Sequence, residues 1–160
     1  MPETLNFVPV ISIPLLSGAN RLRRLATGRV QVHDPIRKRW VAYTPEEAVR
    51  QNFITYCLTE LQYPAAYLAV EKSIVAPGIA ARFDLLLYNA AHRPWMLVEC
   101  KAPDVPISED TLYQLLRYQH ALGCRYWVLY NGIQCFCADA QDPQAIQWRS
   151  GLPPFEDIIH

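Results

Sequence analysis

The chain is short of glycine, of histidine and of net charge. Its six glycines (Gly18, Gly28, Gly78, Gly123, Gly132, Gly151) are scattered, and none precedes a lysine. A phosphate-cradling loop needs a glycine turn followed by a lysine at a helix start, so an ATP-driven motor is not encoded here. No apolar run reaches the roughly 18 residues that cross a bilayer. The opening Met1-Pro2-Glu3-Thr4 lacks the basic and long apolar stretches of a signal peptide. Both absences predict a cytoplasmic chain with no membrane partner. Fifteen Lys and Arg balance fifteen Asp and Glu, which excludes a uniformly basic coat protein and an acidic solvating tail. Four histidines and five cysteines without a Cys-x-x-Cys pair make a poor zinc ligand set. The cysteines are expected to be reduced and partly buried, with Cys135 and Cys137 on one face of a strand.

What the sequence does have is apolar residues, 51% of its 160, enough for one core. Its charges are also unevenly spread. Residues 21–39 hold Arg21, Arg23, Arg24, Arg29, Arg37, Lys38 and Arg39 against the single acid Asp34, an excess of six positive charges. Residues 102–160 carry an excess of four negative charges. Screening confines each charge to about 8–10 Å, so a neutral chain can still present a locally positive face.

Residues 1–30, punctuated by proline, read as an arm. Residues 30–33 and 39–43 suggest a short hairpin around Asp34-Pro35. Thr44-Pro45-Glu46-Glu47 then supplies an N-cap, a proline in the first turn and a capping-box Glu. The helix it opens should run to about Gln62, with Val49, Phe53, Tyr56, Cys57 and Glu60 or Leu61 marking the buried stripe. Strands are expected at residues 65–73, 82–88 and 95–101. Ser108 can cap a second helix to about Leu122, with Leu112, Leu115, Leu116 and Gln119 at helical spacing. Residues 125–130 and 133–139 form a hairpin around Asn131-Gly132. The order αβββαβ predicts an α/β layer in which the second helix crosses over between strands. The domain should span residues 31–140, followed by a tail at 141–160.

The chemistry gathers on two of these strands. Side chains alternate along a strand, so Glu99 and Lys101 share a face, as do Arg82 and Asp84 on the strand before. Antiparallel pairing of Tyr88 with Trp95 would put Asp84 opposite Glu99, with Cβ atoms about 4.5–5.5 Å apart. Two such carboxylates repel unless a cation lies between them, and a hard divalent ion such as Mg²⁺ or Mn²⁺ suits that oxygen site. Lys101 beside it can orient a water and balance the charge of a phosphorane-like transition state. The competing reading is a plain salt bridge among Asp84, Glu99, Arg82 and Lys101 at a sheet end. Gln114 and Tyr118 follow at i and i+4 on one helix face, and Glu47 and Glu60 offer further acids.

Arg82-Phe83-Asp84, Val98-Glu99-Cys100-Lys101, and Gln114 with Tyr118 together resemble the PD-(D/E)XK nuclease superfamily. Thr44-Pro-Glu-Glu-Ala-Val-Arg50, Tyr63-Pro64, Val70-Glu-Lys-Ser73 and Leu97-Val-Glu-Cys-Lys-Ala-Pro103 more closely resemble the N-terminal nuclease domain of type I restriction enzyme R subunits, in its small stand-alone form. The resemblance covers roughly residues 30–139. It implies a restriction-endonuclease-like core with a four- to five-stranded mixed sheet flanked by helices, and Mg²⁺-dependent DNA cleavage. Asp84 and Glu99 would then bind metal through their side chains and Cys100 through its carbonyl, with Lys101 as the catalytic lysine. Gln114 and Tyr118 would support the metal site or contact DNA. Glu47, three before Arg50, would be the helical acid that completes the site, or else only a helix cap.

In type I R subunits a motor follows the nuclease, and none is expected here. Target selection would then fall to the basic segment, a separate targeting or motor subunit, or the form of the nucleic acid. Arg37, Lys38 and Arg39 are candidate phosphate contacts without sequence readout, and a homodimer would allow both strands to be cut. Arg82 either serves the scissile phosphate or pairs with Asp84, while Trp40, Tyr43 and Tyr113 either stack on bases or belong to the core. The alternative from another class is a non-catalytic nucleic-acid-binding or assembly module of the same fold. An RNA-directed nuclease would use the same site.

Overall fold

A computed structural model describes residues 8–16, 20–76, 78–117 and 122–154. Nine strands and two helices follow in the order β1 (Leu22–Arg24), β2 (Val30–Asp34), β3 (Arg39–Ala42), α1 (Pro45–Thr59), β4 (Leu68–Ala76), β5 (Ile79–Tyr88), β6 (Pro94–Cys100), α2 (Glu109–Arg117), β7 (Tyr126–Tyr130), β8 (Cys135–Asp139) and β9 (Gln147–Arg149). They build a three-stranded sheet β1-β2-β3 and a six-stranded sheet β4-β5-β6-β7-β8-β9. All pairs in the larger sheet are antiparallel except β6 with β7, which run parallel. Parallel neighbours need a crossover, and α2 supplies it. The result is a mixed α/β architecture compatible with a restriction-endonuclease-like core.

Strand alternation sorts the core into two layers. Leu85, Leu87, Met96, Val98, Cys100, Tyr126, Val128, Tyr130, Cys135 and Cys137 pack under Val49, Phe53, Ile54 and Cys57 of α1. Leu86, Leu97, Trp127 and Ala138 face the other way, with Leu115 of α2. Trp127 is fully buried, and its indole N–H is satisfied by the Cys124 carbonyl at 3.0 Å. All five cysteines are reduced and buried, with Cys135 and Cys137 on one face as the two-residue spacing requires. No helix among the described residues is long and apolar enough to cross a membrane.

Several boundaries differ from the sequence expectation. Part of the expected arm is structured. Leu22–Arg24 pairs with β2, Val8, Ile11 and Ile13 are buried, and Ile11 bridges to Cys135. Part of the expected tail forms β9 on the sheet edge. The larger sheet thus has six strands rather than four or five, because proline- and glutamine-rich flanks carried no alternating pattern. Residues 65–67 form a 3₁₀ turn before β4 begins at Leu68. The β7–β8 turn is a four-residue loop rather than a two-residue Asn-Gly turn. Asn131 Oδ1 accepts from the backbone N–H groups of Ile133 and Gln134, and Gly132 sits at φ 89°. Gln119 lies outside the described residues.

The start of α1 is half as expected. Thr44 Oγ1 accepts from the Glu47 N–H at 3.1 Å, while the Glu47 side chain does not return the bond but turns inward to arginines. The buried face of α1 also includes Glu47, Arg50, Gln51 and Asn52, which an apolar-stripe reading passes over. Because Thr44 carries the cap alone, Thr44→Ala should cost about 1 kcal/mol, seen as a lower urea midpoint with an unchanged m-value. No loss of stability would show that the cap contributes nothing.

Candidate active site at the fork of two strands

The β5–β6 ladder pairs Leu85 with Val98, Leu86 with Leu97 and Leu87 with Met96, then shifts by one at Tyr88, which meets Pro94 rather than Trp95. The interior register, extended by one residue, would bring Asp84 opposite Glu99. The ladder ends just short of this pair. The next N–H, that of Cys100, is taken by the Asp84 carboxylate (Oδ2, 2.8 Å), so a side chain fills the gap where the strands part.

Asp84 also marks a slip in alternation. Phe83 and Leu86 belong to the α2 layer, while Leu85 and Leu87 belong to the α1 layer. Opposite the slip on β4, Glu71 has φ 53°, an uncommon backbone for a non-glycine residue. The strict face-sharing expected for Arg82, Asp84 and Leu86 is thus broken, and Asp84 reaches toward α1 instead. There its Oδ1 accepts from Arg50 Nη2 at 2.5 Å.

Glu99 and Lys101 keep the shared face expected of them. Lys101 Nζ lies 3.6 Å from Glu99 Oε1. The Lys101 N–H extends the parallel pairing by donating to the Tyr130 carbonyl at 2.9 Å. Arg82, Phe83, Glu99, Lys101, Thr111 and Gln114 line one open cavity of about 220 Å³ between the sheet and α2. Four of the residues singled out in the sequence, Arg82, Glu99, Lys101 and Gln114, therefore meet around a single space. Tyr118 lies outside the described residues.

Burial first, and then the adjacent charge of Asp84, push the Glu99 carboxyl up to about 8, with Lys101 opposing. Two carboxylates in one partly dry place cannot both ionise cheaply. Arg50 shows the complementary effect. Against the penalty of burial, the Asp84 and Glu47 carboxylates hold its guanidinium above its already high value.

Glu47 stands apart from the pair. One Glu47 oxygen accepts from Arg37 (2.5 Å) and Gln51 (3.0 Å), and the other from Arg50. The Arg50 guanidinium thus bridges Glu47 and Asp84 rather than leaving them to converge. Among the described residues no group of three or more His, Cys, Asp or Glu side chains is arranged to hold a metal ion. Asp84 and Glu99 are the two carboxylates here that could hold a hard divalent cation, with Arg50 on the former and Lys101 beside the latter.

Arg37 also departs from expectation. Its guanidinium is nearly closed off from water and contacts Asp34 (2.7 Å), Glu47 (2.5 Å) and Glu71 (3.0 Å). It faces the protein rather than a phosphate, whereas Lys38 and Arg39 remain exposed. Arg82 takes the pairing role, but with Glu71 (2.7 Å) and not Asp84. Arg50, Asp34 and Glu71 were not assigned roles from the sequence. The available signals were an arginine one turn after Glu47 and a lone acid in a basic run.

The mixed sheet with its crossover helix is compatible with a restriction-endonuclease-like α/β core. The chain belongs to the family of the type I restriction enzyme R protein N terminus, whose model matches residues 45–153, more than half of its length. It is thus a restriction-enzyme-related nuclease domain. No curated protein matches the chain.

The raised Glu99 carboxyl has a consequence for stability. Between its ordinary 4.5 and about 8, Glu99 is ionised in the unfolded chain and protonated in the folded one. The unfolded state then binds fewer protons, so the metal-free protein should lose stability as pH rises across that window. Asp34 and Glu71 are held low against burial by hydrogen bonds and charges from arginines. They act in the opposite sense, but only below the ordinary carboxylate range. Urea unfolding at about pH 5 and about pH 7.5 should show the loss, and Glu99→Gln should flatten it. An equal loss in the variant would assign the slope elsewhere.

Proposed function

We propose that the domain is a metal-dependent nuclease that hydrolyses DNA phosphodiester bonds, an endodeoxyribonuclease using Mg²⁺ or Mn²⁺. The observation that carries this reading is the juxtaposition of Asp84 and Glu99 at the strand fork, with Lys101 beside Glu99. Asp84 and Glu99, with the carbonyl of Cys100, would hold the ion. When bound, it would supply Lewis-acid stabilisation of the phosphoryl group and a more acidic water. Glu47 is not proposed as a direct ligand while Arg37, Arg50 and Gln51 enclose it.

The chain's own residues then divide the remaining work. Lys101 orients the attacking water and offsets charge growing on the non-bridging oxygens as the new P–O bond forms and the ester P–O bond breaks. Gln114, on the α2 side of the same cavity, offers an amide that can donate to a phosphate oxygen and accept from the water. Arg82, exposed and braced by Glu71, is placed to grip an adjacent phosphate. Arg50 acts through Asp84, fixing the carboxylate's direction. We further propose that cutting both strands uses a homodimer, and that a separate targeting or motor subunit can direct the domain.

A second reading, a nucleic-acid-binding module without turnover, draws on one observation. Asp84 is already neutralised by Arg50, and no three-donor metal cluster exists among the described residues. Two measurements separate these readings. Wild-type protein should cut DNA with Mg²⁺ or Mn²⁺ and not with a chelator. Glu99→Gln and Lys101→Ala should each lower the rate by at least ~100-fold, the usual worth of a positioned catalytic group, with unchanged circular dichroism. Mg²⁺ should also raise the Tm of wild type but not of Glu99→Gln. Binding to DNA with no cutting under any divalent ion would favour the module.

A further inference from the structure

Residues 21–39 bear all but one of their charges as cations, and the structure separates them sharply. Arg21, Arg23, Arg24, Arg29, Lys38 and Arg39 are exposed, whereas the one acid, Asp34, is fully buried and paired with Arg37. The surface of this segment thus carries six cations and no acid, in a chain whose net charge is zero.

Register arranges part of this charge on one side. Val32 and Asp34 on the middle strand are buried, so that side of β2 turns toward the protein, while its register partner Leu22 on the edge strand stays exposed. The alternate set is Arg23, Gln31 and Ala42 in one row, and Arg21, His33 and Trp40 in the next. Trp40 organises that outer face. The Arg23 guanidinium lies 4.4 Å and that of Arg21 5.5 Å from its ring centroid, and His33 meets it edge-on at 5.3 Å. Arg23 is further fixed by donating to Gln31 Oε1 at 2.8 Å. The aromatic surface is spent on aligning two arginines, which leaves it poorly suited to stacking on bases. What the face offers is a pair of oriented guanidinium groups, which match phosphate.

The other end of the sheet leads to the cavity. Arg37, in the β2–β3 turn, and Arg82, in the cavity wall, both grip Glu71. Lys38 and Arg39 extend the cationic surface from that turn. The whole three-stranded sheet lies before residue 45, outside the part that matches the family.

We propose that the outer face of the β1-β2-β3 sheet binds the sugar-phosphate backbone of duplex DNA and leads it past Lys38 and Arg39 to the Arg82 wall of the cavity. Contacts of this kind give affinity and register without reading sequence. The proposal rests on DNA being the substrate, but not on turnover. It is tested on full-length protein carrying Glu99→Gln in EDTA, so that nothing is cut, with a fluorescent duplex of arbitrary sequence. Adding Arg21→Ala and Arg23→Ala should weaken binding by ~10-fold or more at ~0.1 M salt and lower the slope of log K against log salt by about 2, since each phosphate contact contributes about 0.9. Replacing both by lysine should retain most of the slope. Thermal melts report folding. If the alanine pair unfolds, Arg21→Gln with Arg23→Gln serves instead, with the same fall expected. Unchanged affinity and slope in folded variants would overturn the proposal, as would failure of the parent protein to bind duplex. Binding through this face by a wild-type protein that cuts nothing would sink the nuclease reading and leave this one standing. Cutting by wild type with binding indifferent to these arginines would do the reverse.

Discussion

Two arginines closed off from water set the geometry on which the candidate site depends. Arg37 and Arg50 between them hold Asp34, Glu47, Glu71 and Asp84, which come from β2, α1, β4 and β5. Burying such charges costs several kcal/mol per ion and the attraction roughly repays it, so the network is a weak source of net stability. Its value lies in direction. A guanidinium fork satisfies two carboxylates only at defined angles, so Arg50 ties Glu47 in the first turn of α1 to Asp84 in the middle of β5 and fixes the direction of the Asp84 carboxylate. Burial, and then the charge of a carboxylate that cannot turn away, push the Glu99 carboxyl up. The crowding of the pair is therefore imposed from outside it.

Much of this arrangement is legible in the sequence because it follows from periodicity. The two-residue alternation of β6 puts Glu99 and Lys101 on one side, and the β5–β6 register brings Asp84 near Glu99, although the slip at Asp84 and its tie to Arg50 are not visible in the string. Thr44-Pro45 fixes where α1 starts, and the apolar spacing of Leu112 and Leu115 places α2 over the sheet. What periodicity cannot supply is the choice of partner among like-charged candidates. Arg37, Lys38 and Arg39 are equivalent in a string, yet a left-handed Lys38 (φ 55°) and the buried Asp34 turn the first inward and leave the others outside. Glu47 likewise fits a cap, a ligand or an ion pair by position alone. The arginines that decide among these come from elsewhere in the fold. The flanks were misjudged for a different reason: β1 and β9 are three residues long, too short for any alternation to register.

The domain thus has two parts of different character. Residues matching the family build most of the core and the strand fork, where Glu47, Glu71, Asp84 and Glu99 crowd around Arg50 and Lys101. The small sheet before them has the opposite imbalance, cations with no exposed acid. Arg37 joins the two by carrying one of those cations into the acid-rich side. A chain that is neutral in total is in this sense locally polarised, with the open cavity close to the boundary.

The bridge between Ile11 and Cys135 bears on how the chain is made. The first described segment is held by Asn52 of α1, which accepts from the Leu16 N–H and donates to the Pro14 carbonyl, and by β8, more than 120 positions later. Contacts so distant along the chain are slow to form, because loop-closure entropy is lost before they are rewarded. On the ribosome the apolar stretch around Ile11 emerges early and must wait for β8 until almost the entire domain has been synthesised. Half of what holds this segment, the Asn52 contacts, is available early in synthesis, and the β8 half arrives only near the end.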